Sequence, residues 1–184
     1  MGTSFIDQII RWDNQLTNNI RIDRSLTLPW RTAAFIAHSG DSWWCLTVLF
    51  TIWLFSKGEL RYITAAMGLG TFILAILVLT IKFSFRRKRP EGDWGAIYRA
   101  TDPHSFPSGH AARVSFLAAM AWGMAPPWVA VIITIWAVFV SFSRIQTGLH
   151  YFSDVLAGVL LGILFALGMK AFTPYLVQLF PWAF

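Results

Sequence analysis

The chain carries a single cysteine, Cys45, so it has no disulfide within itself and no thiolate framework for a metal. Charge is also scarce: charged residues make up 13% of the chain, and the hydrophobic share is 56%. So apolar a composition, with mean hydropathy +0.56, does not fit an ordinary soluble domain or a disordered chain. Acidic residues are few, nine against fifteen Lys and Arg, and they are scattered, so no carboxylate cluster stands ready for a divalent ion. No internal repeat, low-complexity tract or linker is evident. No charged segment leads into an apolar core at the start, so no cleavable leader is expected.

What the chain does have is long apolar blocks, which point to a polytopic membrane protein. Residues 5–22 mix Phe5, Ile6, Ile9, Ile10 and Trp12 with Asp, Arg and Asn, so residues 1–32 are expected to form an amphipathic interfacial segment. Spans are expected at 34–55, 62–83, about 108–124, 128–143 and about 151–172. The first is interrupted by His38 and Asp41, both read as interfacial, and Pro126–Pro127 closes the third. The expected fold is all-α: a transmembrane helix bundle of about five spans plus the N-terminal surface helix, in one domain over 1–184. The aromatic tail from Thr173 is expected at the interface.

Five spans put residues 1–33, 84–107 and 144–150 on one side of the membrane. Three unusual polar clusters meet there. Residues 82–90, KFSFRRKRP, give Lys-x6-Arg-Pro. Residues 107–110 give Pro-Ser-Gly-His. Residues 143–154, SRIQTGLHYFSD, give Ser-Arg-x5-His-x3-Asp. A phosphate suits the three cations: the forked guanidinium groups of Arg89 and Arg144 bind its oxygens in pairs, and Lys82 adds a point charge. Ser108 and Gly109 open a helix whose free N–H groups favour an anion. His150 and Asp154 stand at i and i+4 and share a helix face. The net charge of +6 in so apolar a chain points to anionic headgroups or a phosphorylated substrate, not to nucleic acid.

In this order and spacing the three clusters resemble the type 2 phosphatidic acid phosphatase superfamily, which includes membrane lipid phosphatases. The resemblance covers about residues 60–172, the expected catalytic core, and leaves 1–59 largely unmatched. It implies a helical bundle with its site between helices near one face. It implies that His150 is the nucleophile and forms a phosphohistidine, that Asp154 orients it, and that His110 protonates the leaving oxygen and later activates water. Lys82, Arg89, Ser108, Gly109 and Arg144 then bind phosphate, with no metal and no cofactor.

The resemblance implies a membrane-embedded enzyme acting on a lipid phosphate or diphosphate, with polyprenyl diphosphate, phosphatidylglycerol phosphate and phosphatidic acid as candidate substrates. A lipid phosphotransferase with the same site and a non-catalytic membrane subunit of this fold are the alternatives. Protein partners are not readable from the sequence. Arg86, Arg87 and Lys88 read as a basic patch on anionic lipid. Ser143 reads either as a phosphate ligand or as a helix-end hydroxyl. Arg113, one turn beyond His110, either reaches a second phosphate or pairs with an acid. Tyr98 and His104 either line a headgroup entrance or are ordinary loop residues. The motif face holds twelve Lys and Arg against three on the other, which favours the cytoplasmic side. The resemblance favours the outer face of a plasma or inner membrane.

Overall fold

Glycine and proline set most of the element boundaries. The computed structural model describes residues 5–91 and 102–184. Its seven described helices are α1 (Phe5–Ile20), α2 (Thr27–Ser39), α3 (Ser42–Phe55), α4 (Glu59–Phe85), α5 (Gly109–Ala121), α6 (Pro127–Gln146) and α7 (Phe152–Leu179). No strand occurs among the described residues; Lys88 and His104 form an isolated bridge. Pro127 opens α6, where its missing N–H costs nothing. Gly58, at φ 60°, precedes α4.

Helices α4, α6 and α7 are long and apolar enough to cross a membrane. Helix α3, with 14 residues, and α5, with 13, stand at the places of the remaining expected spans. One boundary differs from expectation. The block 34–55 is not a continuous helix: it breaks at Gly40–Asp41 into α2 and α3. Asp41 is extended, with ψ 145°, and stands as the N-cap of α3. The physical reason is Asp41, whose carboxylate turns inward to His110 on α5 while keeping its contact with His38. Helix α2 also begins at Thr27, inside the segment expected to be interfacial. At the other end α7 runs through Pro174 to Leu179, so part of the tail extends the last helix.

Helix α5 is the hub. Ten of its thirteen residues are buried, and it packs against α4, α6 and α7, most extensively α7. That contact depends on two glycines four residues apart. A Cβ at Gly158 would stand 2.5 Å from the Ser108 carbonyl oxygen, and one at Gly162 would stand 2.2 Å from the Ala112 oxygen. This is the small-xxx-small packing that lets membrane helices touch backbone to backbone. Met67, Leu74, Phe116, Met120, Ala166 and Met169 fill the core around it. The outer faces of the long helices carry exposed Phe72, Ile76, Phe139, Leu164 and Leu167. Apolar surface on this scale belongs against lipid, and the chain is an integral membrane protein.

Helix α1 keeps an apolar face outward, with Phe5, Ile9, Ile10 and Trp12 exposed, but its other face is docked. Asp13 accepts from the Ser153 amide at 2.9 Å and from its hydroxyl at 2.6 Å. The Thr17 hydroxyl accepts from the Phe152 amide at 3.1 Å. Two residues of α1 therefore satisfy N–H groups that the start of α7 leaves unpaired.

Candidate active site

The three sequence clusters converge at the ends of α4, α5, α6 and α7. Lys82 lies in the last turn of α4, Arg144 in the last turn of α6, and both are almost wholly buried. Ser108 is the N-cap of α5, its hydroxyl accepting from the Ala111 amide at 3.5 Å. The Ser108 amide donates to the Asp154 carbonyl at 2.9 Å, which ties the mouth of α5 to the first turn of α7. His150 ends the short connection from α6 to α7, next to the α7 N-cap Tyr151. Lys82, Arg89, Gly109, His110, Arg113, Arg144 and His150 line one cavity of about 240 Å³.

Arg89 connects its parts. Its Nε donates to the Asp102 carbonyl at 2.9 Å, its Nη2 to the Asp102 carboxylate at 3.0 Å, and its Nη1 to the Leu149 carbonyl at 3.0 Å. The same Nη1 lies 3.3 Å from His150 Nε2. A guanidinium only donates, so the His150 Nε2 lone pair faces it and the ring proton sits on Nδ1. His150 is 1% exposed. Burial first, then the charges of Arg89, Arg144 and Lys82, push its pKa well below the ordinary histidine value. The imidazole is neutral, as an attacking nitrogen must be.

Asp154 lies behind His150, with Oδ2 at 3.6 Å from Nδ1, beyond hydrogen-bond length. Its firm bonds go elsewhere: Oδ2 accepts from the Tyr151 amide at 3.0 Å and Oδ1 from Arg87 at 2.7 Å. Arg87 also reaches Asp13 at 2.7 Å and Ser153 at 2.7 Å, and its guanidinium lies 4.1 Å from the Tyr151 ring centre. Arg87 is therefore not part of a lipid-facing patch. It bridges two buried carboxylates, and Asp13, far back in the sequence, is the reason.

His110 has a partner that the spacing of the motifs does not announce. Its Nε2 lies 2.5 Å from Asp41 Oδ1, and Asp41 Oδ2 lies 3.0 Å from His38 Nδ1. The break between α2 and α3 thus places a carboxylate on the second catalytic candidate, and Asp41 is no mere interfacial residue. The signal that points to it is two ionisable groups within an apolar block, costly unless they face a partner. Asp102 is a second unannounced acid: its carboxylate binds both Lys82 and Arg89.

The remaining candidates divide. The Ser143 hydroxyl donates to the Val140 carbonyl at 2.7 Å, a helix-end role. His104 gives its carbonyl to Lys82 at 3.2 Å and sets its ring edge-on to Phe83. Tyr98 lies outside the described residues. Arg113 donates to the Gly40 carbonyl at 2.7 Å and forms no ion pair among the described residues.

The sequence profile of the PAP2 superfamily matches residues 59–178, which include every motif position. The chain belongs to the PAP2 superfamily. It is 32% identical over 133 residues to an undecaprenyl-diphosphatase of Sulfolobus acidocaldarius, covering 70% of this chain and 63% of that one. A probable lipid phosphate phosphatase beta of Arabidopsis thaliana is 30% identical over 194 residues, covering 90% of each. A lipid A 1-phosphatase of Porphyromonas gingivalis is 36% identical over 100 residues, 53% of this chain but only 21% of that protein's length. The fold is also that of solved relatives. A transmembrane PAP2-type phosphatidylglycerolphosphate phosphatase from Bacillus subtilis superposes with TM-score 0.73 at 23% identity, over 92% of this chain and 88% of that one. Aquifex aeolicus LpxE gives TM-score 0.64 at 23% identity, over 85% and 92%.

Proposed function

We propose that the protein is a membrane lipid phosphatase that removes a terminal phosphate from a lipid phosphate or diphosphate through a phosphohistidine at His150. The observation that carries the reading is the cavity itself: Lys82, Arg89 and Arg144 face it together with two histidines on opposite elements. Family membership and the lipid phosphatase names of the relatives support it.

The cations and the α5 N-terminus hold the phosphate and stabilise the charge that grows on its equatorial oxygens. The His150 Nε2 lone pair forms a bond to phosphorus as the bond to the lipid oxygen breaks, and His110 gives that oxygen a proton. Water then attacks the phosphorus–nitrogen bond while His110 takes a proton from it, releasing orthophosphate. Asp41 is a positioning residue for His110: a carboxylate acceptor fixes the Nε2 proton and favours the charged ring. Asp154 stabilises the cation that forms on His150 after attack, with Arg87 and the Tyr151 amide holding it in place. Polyprenyl diphosphate, phosphatidylglycerol phosphate and phosphatidic acid are the candidate substrates. The proposed location is the plasma or inner membrane.

The test is phosphate release from these lipids by the purified chain and by His150→Ala. Release by wild type should fall by ~10³-fold or more in the variant, ~4 kcal/mol of barrier. Equal rates in the two proteins would remove His150 from the mechanism. Quenched turnovers of the wild type should yield an acid-labile, base-stable phosphoprotein, absent from His150→Ala.

A further inference from the structure

The cavity continues past the phosphate cradle. Along α4 its wall runs from Lys82 through Leu79, Val78, Ala75 and Leu74 to Thr71. That is three turns, roughly 16 Å of helix, more than one phosphate occupies. The far part is not purely apolar. Arg113 and Thr71 also line the cavity, 9% and 2% exposed. Arg113 spends one nitrogen on the Gly40 carbonyl, but its Nε and the Thr71 hydroxyl make no hydrogen bond among the described residues. A buried guanidinium with no ion pair is costly, and so is a buried hydroxyl without a partner. Both side chains line the cavity that holds the cradle, and an anion held between them relieves both costs.

We infer that Arg113 and Thr71 form a second anion subsite, which takes a phosphate carried on the leaving group of the substrate. The inference rests on the phosphatase reading and narrows its substrate class. The order along α5 supports it. His110 faces the breaking bond, and Arg113 stands one turn further from the cradle. The terminal phosphate binds at Lys82, Arg89 and Arg144, and the second lies beyond the scissile oxygen. As the His150 nitrogen bonds to the terminal phosphorus, the bond to the bridging oxygen breaks and its electron pair stays on that oxygen. His110 supplies the proton that this oxygen takes up, and where the departing group bears a phosphate, that phosphate lies beside Arg113. A polyprenyl diphosphate carries the second phosphate directly on that oxygen. Phosphatidylglycerol phosphate carries it three carbons away, as a diester. Phosphatidic acid and a polyprenyl monophosphate carry none.

The experiment compares kcat/KM for these four lipids with the full chain in detergent, for wild type, Arg113→Met and Thr71→Val. Wild type should favour the two-phosphate lipids by about 10-fold or more, and Arg113→Met should erase that preference while changing the one-phosphate lipids by less than about 3-fold. Preference for the diphosphate alone assigns adjacent phosphates, and preference for phosphatidylglycerol phosphate alone assigns the spaced pair. Matched values on all four lipids, or equal losses on all four in Arg113→Met, overturn the subsite and leave the phosphatase reading standing. Release from none of the four overturns both. Arg113 also holds the Gly40 carbonyl, so a second arm uses wild type and the folded Thr71→Val. Methylenediphosphonate should inhibit wild type at about 10-fold lower concentration than methylphosphonate, with the gap narrowed in Thr71→Val. Equal inhibition of wild type by the two probes overturns the subsite whatever the arginine variant does.

Discussion

His150 combines two properties that seldom coexist: it is buried, and it is surrounded by positive charge. Both keep it unprotonated. Its depressed pKa means that the proposed nucleophile is lost only as pH falls well below about 6.5, the ordinary histidine value. Of the charges that act on it, that of Arg89 acts most strongly, so Arg89→Gln should let the pKa rise. The acid limb of kcat/KM should then move to higher pH, alongside weaker phosphate binding. A limb that stays in place when Arg89 is neutralised would show that its charge does not tune His150. At the second histidine, Asp41→Asn keeps the shape but removes the charge that fixes the His110 proton. A fall in kcat of about 10²-fold or more, with KM little changed, is expected from impaired proton transfer. Asp41→Glu should recover part of it. A loss confined to thermal stability, with kcat intact, would make Asp41 structural.

At the scale of elements, the contact between α5 and α7 decides whether the PSGH turn and His150 meet. Gly162→Ala gains helix propensity but drives a methyl into the Ala112 carbonyl. Overpacking of this kind costs about 1–3 kcal/mol, so the melting temperature in detergent should fall and activity with it. An unchanged melting temperature would mean that α7 can slide without cost. Elements also mark where the sequence stops being legible. Lys82, Arg89, His110, Arg144, His150 and Asp154 could be named because short internal spacings carry their chemistry, and membrane sidedness brings the clusters to one face. The apolar blocks gave the helices for the same local reason. Asp41 and Arg87 are different. Asp41 meets His110 across 69 residues, and only because a helix breaks at Gly40. Arg87 sits in a run of like charges, and nothing local separates the arginine that turns inward from its neighbours. Its direction is set by Asp13, 74 residues earlier. The glycine pair on α7 meets the carbonyls of Ser108 and Ala112, and no local spacing announces that pairing.

At the scale of the whole molecule, the membrane side of the cavity follows from where the loop between α4 and α5 lies. Glu91 is exposed, and Cys45 is buried. A Glu91→Cys variant should react in intact cells with a membrane-impermeant maleimide if the site faces outward, as the resemblance to outer-face enzymes leads us to expect. Labelling only after permeabilisation would put it in the cytoplasm, the side favoured by the Lys and Arg distribution.

The docking of α1 carries a consequence for how the protein is handled. This helix lies outside the matched family region, yet its Asp13 and Thr17 clamp the first turn of α7, and Asp13 shares Arg87 with Asp154. Its Phe5, Ile9, Ile10 and Trp12 need a lipid surface to rest on. The bilayer then helps to hold the segment that carries His150, and the choice of solubilising medium becomes a kinetic variable. Detergents that draw α1 off the bundle should lower turnover before any melting is seen, and lipid nanodiscs should restore it.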